Sequence, residues 1–131
     1  MLIASAVLAA LAGALHVYIF VLESFRWTRP STMRTFGLRS REEAETTRLL
    51  AFNQGFYNLF LALGALVGAS LLLWGPAFHQ AARALLVGAC GSMLAASIVL
   101  LLSDRTRLRA SAVQGALPLL ALLALAIAGR G

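Results

Sequence analysis

The fold of this chain is decided by residues 2–22, LIASAVLAALAGALHVYIFVL, an apolar stretch that contains no charged side chain apart from the ionisable His16. A helix that crosses a bilayer needs about 20 consecutive, mostly apolar residues, so this stretch predicts a transmembrane helix. A cleaved signal peptide fits less well, because no basic residue precedes the stretch and the later sequence crosses the membrane again. Three further stretches have the same character, at residues 49–74, 84–103 and 111–128.

The composition leads to the same conclusion. The chain has 131 residues, of which 60% are hydrophobic and 12% are charged, and its mean hydropathy is +0.85. Soluble domains are about 45–50% apolar and about 25% charged, and a chain this short cannot bury so much apolar surface in a water-soluble core. We therefore expect one all-α transmembrane domain, with the lipid bilayer as its main partner. The single cysteine, Cys90, excludes an internal disulfide.

The links between the apolar stretches are short, which predicts an antiparallel four-helix bundle. The net charge is +6 and comes from arginine alone, and the arginines lie beside apolar stretches, which favours an orientation signal over nucleic-acid binding. Only Arg83 and Arg130 lie on the opposite side from the first and third links. By the positive-inside rule, we expect those two links to face the cytoplasm and both termini of this multi-pass chain to lie outside. The first and third links hold nine arginines: Arg26, Arg29, Arg34, Arg39, Arg41, Arg48, Arg105, Arg107 and Arg109.

The first link contains local signals for turns and for a helix start. Pro30 and Gly37 are typical helix breakers. Ser40 followed three residues later by Glu43 predicts a capping box. We expect a helix to begin there and to continue without a break into the second apolar stretch.

Polar side chains inside the apolar stretches collect towards one end of the predicted bundle. Unpaired polar groups cost several kcal/mol in hydrocarbon, so we expect these side chains to turn inward and to line a common pocket that opens towards the cytoplasm. His16 and Asn58 lie at similar depths, about 15 Å from the arginine-rich side, and are predicted to meet. The polar set, with Asp104 at its edge, is His16, Glu23, Asn53, Gln54, Tyr57, Asn58, Ser92, Ser97 and Gln114.

Small residues recur at four-residue spacing. Gly64 and Gly68 form one such pair and Gly88 and Ser92 form another, and both pairs permit close helix approach within one bundle or between two subunits. A homodimer is therefore possible. His16 and Glu23 supply two candidate metal ligands where a catalytic zinc site uses three, so we expect no metal and no other cofactor.

Several separated motifs resemble one family. The stretch GALHVYIFVLESFRWTRPSTMRTFGL, the later AFNQGFYNLFLALG and the late VQGALPLLALLAL are similar to the bacterial integral membrane family called domain of unknown function 1304. The resemblance implies a four-helix inner-membrane protein and supplies no activity. The matching positions are His16, Glu23, Phe25, Trp27, Phe36, Gly37, Asn53, Gln54, Gly55, Tyr57, Asn58, Gln114, Gly115 and Pro118.

Intramembrane ionisable residues are by default candidates for function. The leading hypothesis is a site that binds a hydrophobic small molecule and isomerises or cyclises it, with His16 and Glu23 as the catalytic acid–base pair. Two alternatives remain: a small-molecule or proton-coupled transporter subunit, which is disfavoured by the apolar outer half, and an accessory subunit without a ligand. The predicted substrate-binding residues are Asn53, Gln54, Tyr57, Asn58, Gln114 and Trp27.

Overall fold

The computed structural model describes residues 1–129, and these residues form an all-α four-helix bundle with one additional short helix. Four helices are long and apolar enough to cross a membrane, as the sequence predicted, and each predicted stretch lies within one of them. Short 3₁₀ turns at Pro76–Phe78 and Arg105–Arg107 join the later helices. The helices are α1 (Leu2–Phe25), α2 (Pro30–Phe36), α3 (Arg41–Trp74), α4 (His79–Ser103) and α5 (Leu108–Ala128).

The chain contains two compact units. The four-helix unit consists of Met1–Leu15 together with the chain from Leu61 onward, and the hairpin unit consists of His16–Phe60. The helices α1 and α3 are each divided between the two units. That the chain forms a single domain stays a prediction.

Small side chains allow the helices of the four-helix unit to pack closely. A Cβ atom at Gly13 would lie 2.8 Å from the Leu66 side chain, which shows how near α1 approaches α3. On another face of α3, a Cβ atom at Gly64 would lie 3.2 Å from the Cβ of Ala89 in α4, and one at Gly68 would lie 2.9 Å from Leu86. The Gly64 and Gly68 face therefore packs against α4 of the same chain. It is not a free surface for a second copy, contrary to the possibility that the sequence left open.

Hydroxyl groups add polar contacts between helices of this unit. Ser5 Oγ on α1 donates to the Ala121 carbonyl on α5 at 3.0 Å, and Ser111 Oγ on α5 donates to the Ser97 carbonyl on α4 at 2.7 Å. Bonds of this kind average about 0.6 kcal/mol in membranes, so packing contributes most of the association. Cys90 lies in this core and is 0% exposed.

The 3₁₀ turn between α4 and α5 is fixed by Asp104. Its Oδ1 accepts hydrogen bonds from Thr106 Oγ1 at 2.6 Å and from the Thr106 amide at 2.9 Å, and its Oδ2 accepts one from Arg107 Nε at 3.2 Å. The bond from the Thr106 hydroxyl is the main cause that holds the pKa of this exposed carboxyl below its ordinary value.

In the hairpin unit, the link between α1 and α3 contains the helix α2, which the sequence analysis did not predict. Pro30 occupies the first turn of α2, where its missing N–H costs nothing, and Gly37 ends the helix with a φ of 66°. The side-chain N–H of Trp27 donates to Thr47 Oγ1 at 3.0 Å, and the Trp27 ring packs on Phe36 at a centroid distance of 4.9 Å. These contacts give the link a defined structure.

The predicted capping box at the start of α3 is present. Ser40 Oγ accepts the Glu43 amide at 3.0 Å. The Glu43 carboxylate accepts the amide of Arg39 at 2.8 Å, one residue before the capping serine. As predicted, α3 then runs unbroken into the second apolar stretch.

Candidate functional site

A hydrogen-bonded carboxylate and carboxamide form the centre of the candidate site in the hairpin unit. Glu23 lies in the last turn of α1 and is only 8% exposed. Asn58 on α3 donates from Nδ2 to Glu23 Oε2 at 2.7 Å, and its Nδ2 also lies 3.3 Å from the carbonyl of Gln54 one turn earlier. The carboxyl of Glu23 is thus fixed in orientation by a neighbouring helix.

A glycine makes this approach of α1 to α3 possible. A Cβ atom at Gly55 would lie 3.0 Å from the Phe20 carbonyl oxygen and 3.1 Å from the Ser24 amide nitrogen, and it would overlap Ser24 Oγ. The hydroxyl of Ser24 instead donates to the Phe52 carbonyl at 3.0 Å. Gly55 lies one turn before Asn58, so the absence of its side chain positions the partner of Glu23.

His16 lies on the same face of α1 as Glu23. It is 2% exposed, and the seven-residue spacing places it two turns away, at about 10 Å along the helix axis. The imidazole and the carboxyl are therefore two separated ionisable groups on one buried stripe of the hairpin unit.

Phenylalanine rings lie beside the Glu23–Asn58 pair. Phe20 contacts Phe56 at a centroid distance of 5.0 Å and Phe25 at 5.3 Å, in edge-to-face arrangements. Phe52 contacts Phe56 at 5.0 Å, and Phe60 extends the series at 6.4 Å. This phenylalanine cluster offers an apolar surface within one turn of the carboxyl.

Three residues that the sequence predicted to turn inward lie on exposed faces of α3. Asn53 and Gln54 are exposed, and Tyr57 is 63% exposed. The buried stripe of this helix segment consists instead of smaller residues such as Ala51 and Gly55. The assignment of the three residues to substrate binding stays a prediction.

The two remaining predicted site residues have other surroundings. Trp27 is half-buried, and its indole N–H is bonded to Thr47. Gln114 is half-buried on α5 and belongs to the four-helix unit. Of the eight predicted residues, the structure joins Glu23 and Asn58 by a direct hydrogen bond. Among residues 1–129, no three His, Cys, Asp or Glu side chains are close enough together to hold a metal ion.

Comparison with known proteins places the chain in a family. The sequence pattern of the family described as "Protein of unknown function (DUF1304)" matches residues 10–126. The chain belongs to this family. The match confirms the resemblance seen in the sequence, and it includes Glu23, Asn58 and His16. No curated protein and no solved structure matches the chain.

Two positioning residues were not among the predicted site residues. Gly55 belongs to the Asn-Gln-Gly motif by which the chain resembles the family, but a glycine carries no chemical group that would select it as a site residue. Ser24 adjoins Glu23, and its bond to the Phe52 carbonyl depends on the packing of two helices. A small residue on one helix that faces a glycine on the neighbouring helix is the sequence feature that could have predicted this contact.

Proposed function

We propose that this multi-pass membrane protein binds a hydrophobic small molecule beside the Glu23–Asn58 pair and exchanges a proton with it. The observation that carries the proposal is a buried carboxyl in the last turn of a transmembrane helix, oriented by an amide of the neighbouring helix. Asn58 donates to Oε2, and we assign the proton exchange to Oε1.

The magnitudes favour a chemical role over a purely structural one. Removing a carboxylate from water costs several kcal/mol even after relaxation, whereas a hydrogen bond to a charged group contributes about 1.5–3 kcal/mol. An amide at position 23 would link the two helices with less desolvation. A carboxyl in this place is therefore better explained by the proton that it can carry.

The spacing of the second ionisable group suggests the shape of the ligand. His16 and Glu23 lie about 10 Å apart along α1, so an elongated molecule is needed to reach both. Glu23 would add a proton to one double bond, and His16 would remove a proton from a carbon farther along the same molecule. The ligand gains one proton and loses one, and exchange with water then reprotonates Glu23 and deprotonates His16. The net reaction is therefore an isomerisation or a cyclisation of an isoprenoid-like compound.

Deuterium incorporation tests this proposal without knowledge of the product. The purified full chain in detergent is incubated in deuterated water with squalene, a prenyl alcohol or a sterol, and the recovered lipid is analysed by mass spectrometry. We expect carbon-bound deuterium with at least one compound. General acid–base groups contribute about 10²–10⁴-fold, so Glu23→Gln should lower the incorporation rate by about that factor.

The matched control is Glu45→Gln. Glu45 is an exposed carboxylate near the start of α3 in the same hairpin unit, and the substitution replaces the same side chain by the same amide. We expect this variant to incorporate deuterium at the wild-type rate. If Glu23→Gln is as fast as the wild type, or if no compound acquires deuterium, the proposed proton transfer is wrong.

A hydrophobic carbodiimide provides an independent test of the carboxyl itself. Dicyclohexylcarbodiimide reacts with carboxyl groups that are reached from an apolar phase. We expect it to modify Glu23 in preference to Glu42 and Glu45 in the wild-type protein, and a compound that is turned over should protect Glu23. Equal modification of the exposed carboxylates would contradict access to Glu23 from the lipid side.

A further inference from the structure

The link between α1 and α3 carries a run of positive charge without any negative charge. Residues 26–39, RWTRPSTMRTFGLR, contain four arginines and no acidic residue. We call this stretch the arginine segment. It follows directly after α1 ends at Phe25 and precedes the start of α3 at Arg41, so it lies at the ends of two transmembrane helices.

All four guanidinium groups of the segment are available to a partner. Arg26, Arg29, Arg34 and Arg39 are exposed. In the part of the chain that the structure describes, residues 1–129, the ion pairs of the neighbouring α3 involve other arginines, since Arg41 and Arg48 both pair with Glu45. Among these described residues, the ion pairs therefore involve none of the four arginines of the segment.

The segment has a defined structure that presents these side chains outward. Thr32 in the middle of α2 is 1% exposed, whereas Arg34 on the same helix is exposed. The bond from Trp27 to Thr47 attaches the beginning of the segment to α3, and the contact of Trp27 with Phe36 holds the beginning and the end of the segment together. A partner that binds here has only the arginine side chains to order.

We infer that the arginine segment binds the phosphate headgroups of anionic phospholipids. Guanidinium groups pair with phosphate through two parallel hydrogen bonds, and basic residues beside a transmembrane helix attract anionic lipids. Tryptophan is enriched at the level of the headgroups, and the segment contains Trp27 directly after its first arginine. This inference concerns a surface and does not depend on the proposed chemistry of Glu23.

Lipid enrichment measures the binding directly. The full chain is equilibrated in mixed micelles of phosphatidylcholine and phosphatidylglycerol and is then re-isolated, and the bound lipids are quantified by mass spectrometry. We expect phosphatidylglycerol to be enriched over its share in the micelle. Each basic residue near a membrane surface contributes about a fivefold preference, so Arg29→Gln with Arg34→Gln should lower the enrichment by roughly 25-fold if both contribute fully.

A charge-matched double variant separates this surface from general attraction. Arg41→Gln with Arg48→Gln removes the same charge from arginines that already have Glu45 as a partner. We expect it to keep most of the enrichment. Equal loss in both double variants, or enrichment within twofold of the wild type in the first, would refute the inference.

Three further measurements exclude other causes. Arg29→Lys with Arg34→Lys keeps the charge but not the paired hydrogen bonds of guanidinium, so its enrichment should lie between those of the wild type and of Arg29→Gln with Arg34→Gln. Enrichment as low as in the Gln variant would contradict a role for these charges. High salt should weaken the binding because exposed charges are screened over about 3 Å at 1 M ionic strength. Inorganic phosphate in excess should not displace the lipid, and full displacement would indicate a site for free phosphate instead.

Discussion

The close contact at Gly55 leads to a quantitative prediction for Gly55→Ala. A Cβ atom there would lie 3.0 Å and 3.1 Å from backbone atoms of Phe20 and Ser24, which cannot rotate away. The new methyl group would also displace Ser24 Oγ from its bond to the Phe52 carbonyl. The two helices must then separate or repack around the methyl group.

The change in the free energy of unfolding is the sum of two destabilising effects and one stabilising effect. Overpacking a well-packed interior costs about 1–3 kcal/mol. The lost hydrogen bond adds about 0.6 kcal/mol, as is usual between membrane helices. Replacing glycine by alanine inside a helix recovers up to about 1 kcal/mol. With the full recovery, we expect Gly55→Ala to lower the free energy of unfolding by roughly 0.6–2.6 kcal/mol.

Gly88→Ala is the matched control. Gly88 also lies inside a transmembrane helix, but a Cβ atom there would meet nothing within 4 Å. The gain in helix propensity is common to both substitutions, so the difference between the two variants isolates the steric contact. We expect Gly88→Ala to be neutral or to raise the free energy of unfolding by up to about 1 kcal/mol.

The assay is reversible unfolding of the purified full chain by increasing the fraction of sodium dodecyl sulphate in mixed micelles. In a Trp74→Phe background, which removes the second tryptophan, Trp27 fluorescence follows the hairpin unit, because its indole is bonded to Thr47. If the unfolding free energies of Gly55→Ala and Gly88→Ala agree within about 0.5 kcal/mol, the approach of α1 to α3 at this point is not as close as described, since even the low end of overpacking exceeds that difference.

Three smaller predictions use the same unfolding assay. Ser40→Ala removes the cap of α3 and should cost about 1 kcal/mol, and Ser40→Asp should restore most of the loss, so an equal loss in both would argue against the cap. Ser5→Ala removes the bond to the Ala121 carbonyl and should cost about 0.6 kcal/mol, with a loss above about 2 kcal/mol pointing to a packing role. Asp104→Asn should be less stable than the wild type at neutral pH. The hydrogen bonds from Thr106 lower the pKa of the folded carboxyl, so its contribution is complete above the ordinary aspartate pKa of about 3.9 and is lost as the pH falls through the lowered value. The difference between Asp104→Asn and wild type should therefore shrink on acidification below about pH 3.9, and a constant difference would contradict this assignment.

The sequence predicted those parts of the fold that lipid alone dictates. Four long apolar stretches predicted four helices, and each of these is long and apolar enough to cross a membrane. Ser40 with Glu43 marked the start of α3 correctly. The helix α2 was missed because its seven residues, PSTMRTF, have no apolar period that distinguishes a helix from a turn. The residues at its boundaries nevertheless have the expected preferences, since proline favours the start of a helix and glycine its end.

The candidate site was predictable only in part. The seven-residue spacing of His16 and Glu23 predicts that they share one face of α1, and both are buried. For α3, spacing alone groups residues by face but does not say which face packs against a neighbour. The polar groups were expected to face inward, yet Gly55 permits the closest approach, so its face packs and Tyr57 is left exposed.

The burial of the only thiol has a practical consequence for the assays above. Cys90 is shielded in the four-helix unit, while Trp27 belongs to the hairpin unit, so the chain carries one native probe in each unit once Trp74 is replaced by phenylalanine. A maleimide added during detergent titration would modify Cys90 only after that unit opens, at the same time as fluorescence follows Trp27. Coinciding curves would identify one cooperative transition, and separated curves would show which part of the molecule loosens first.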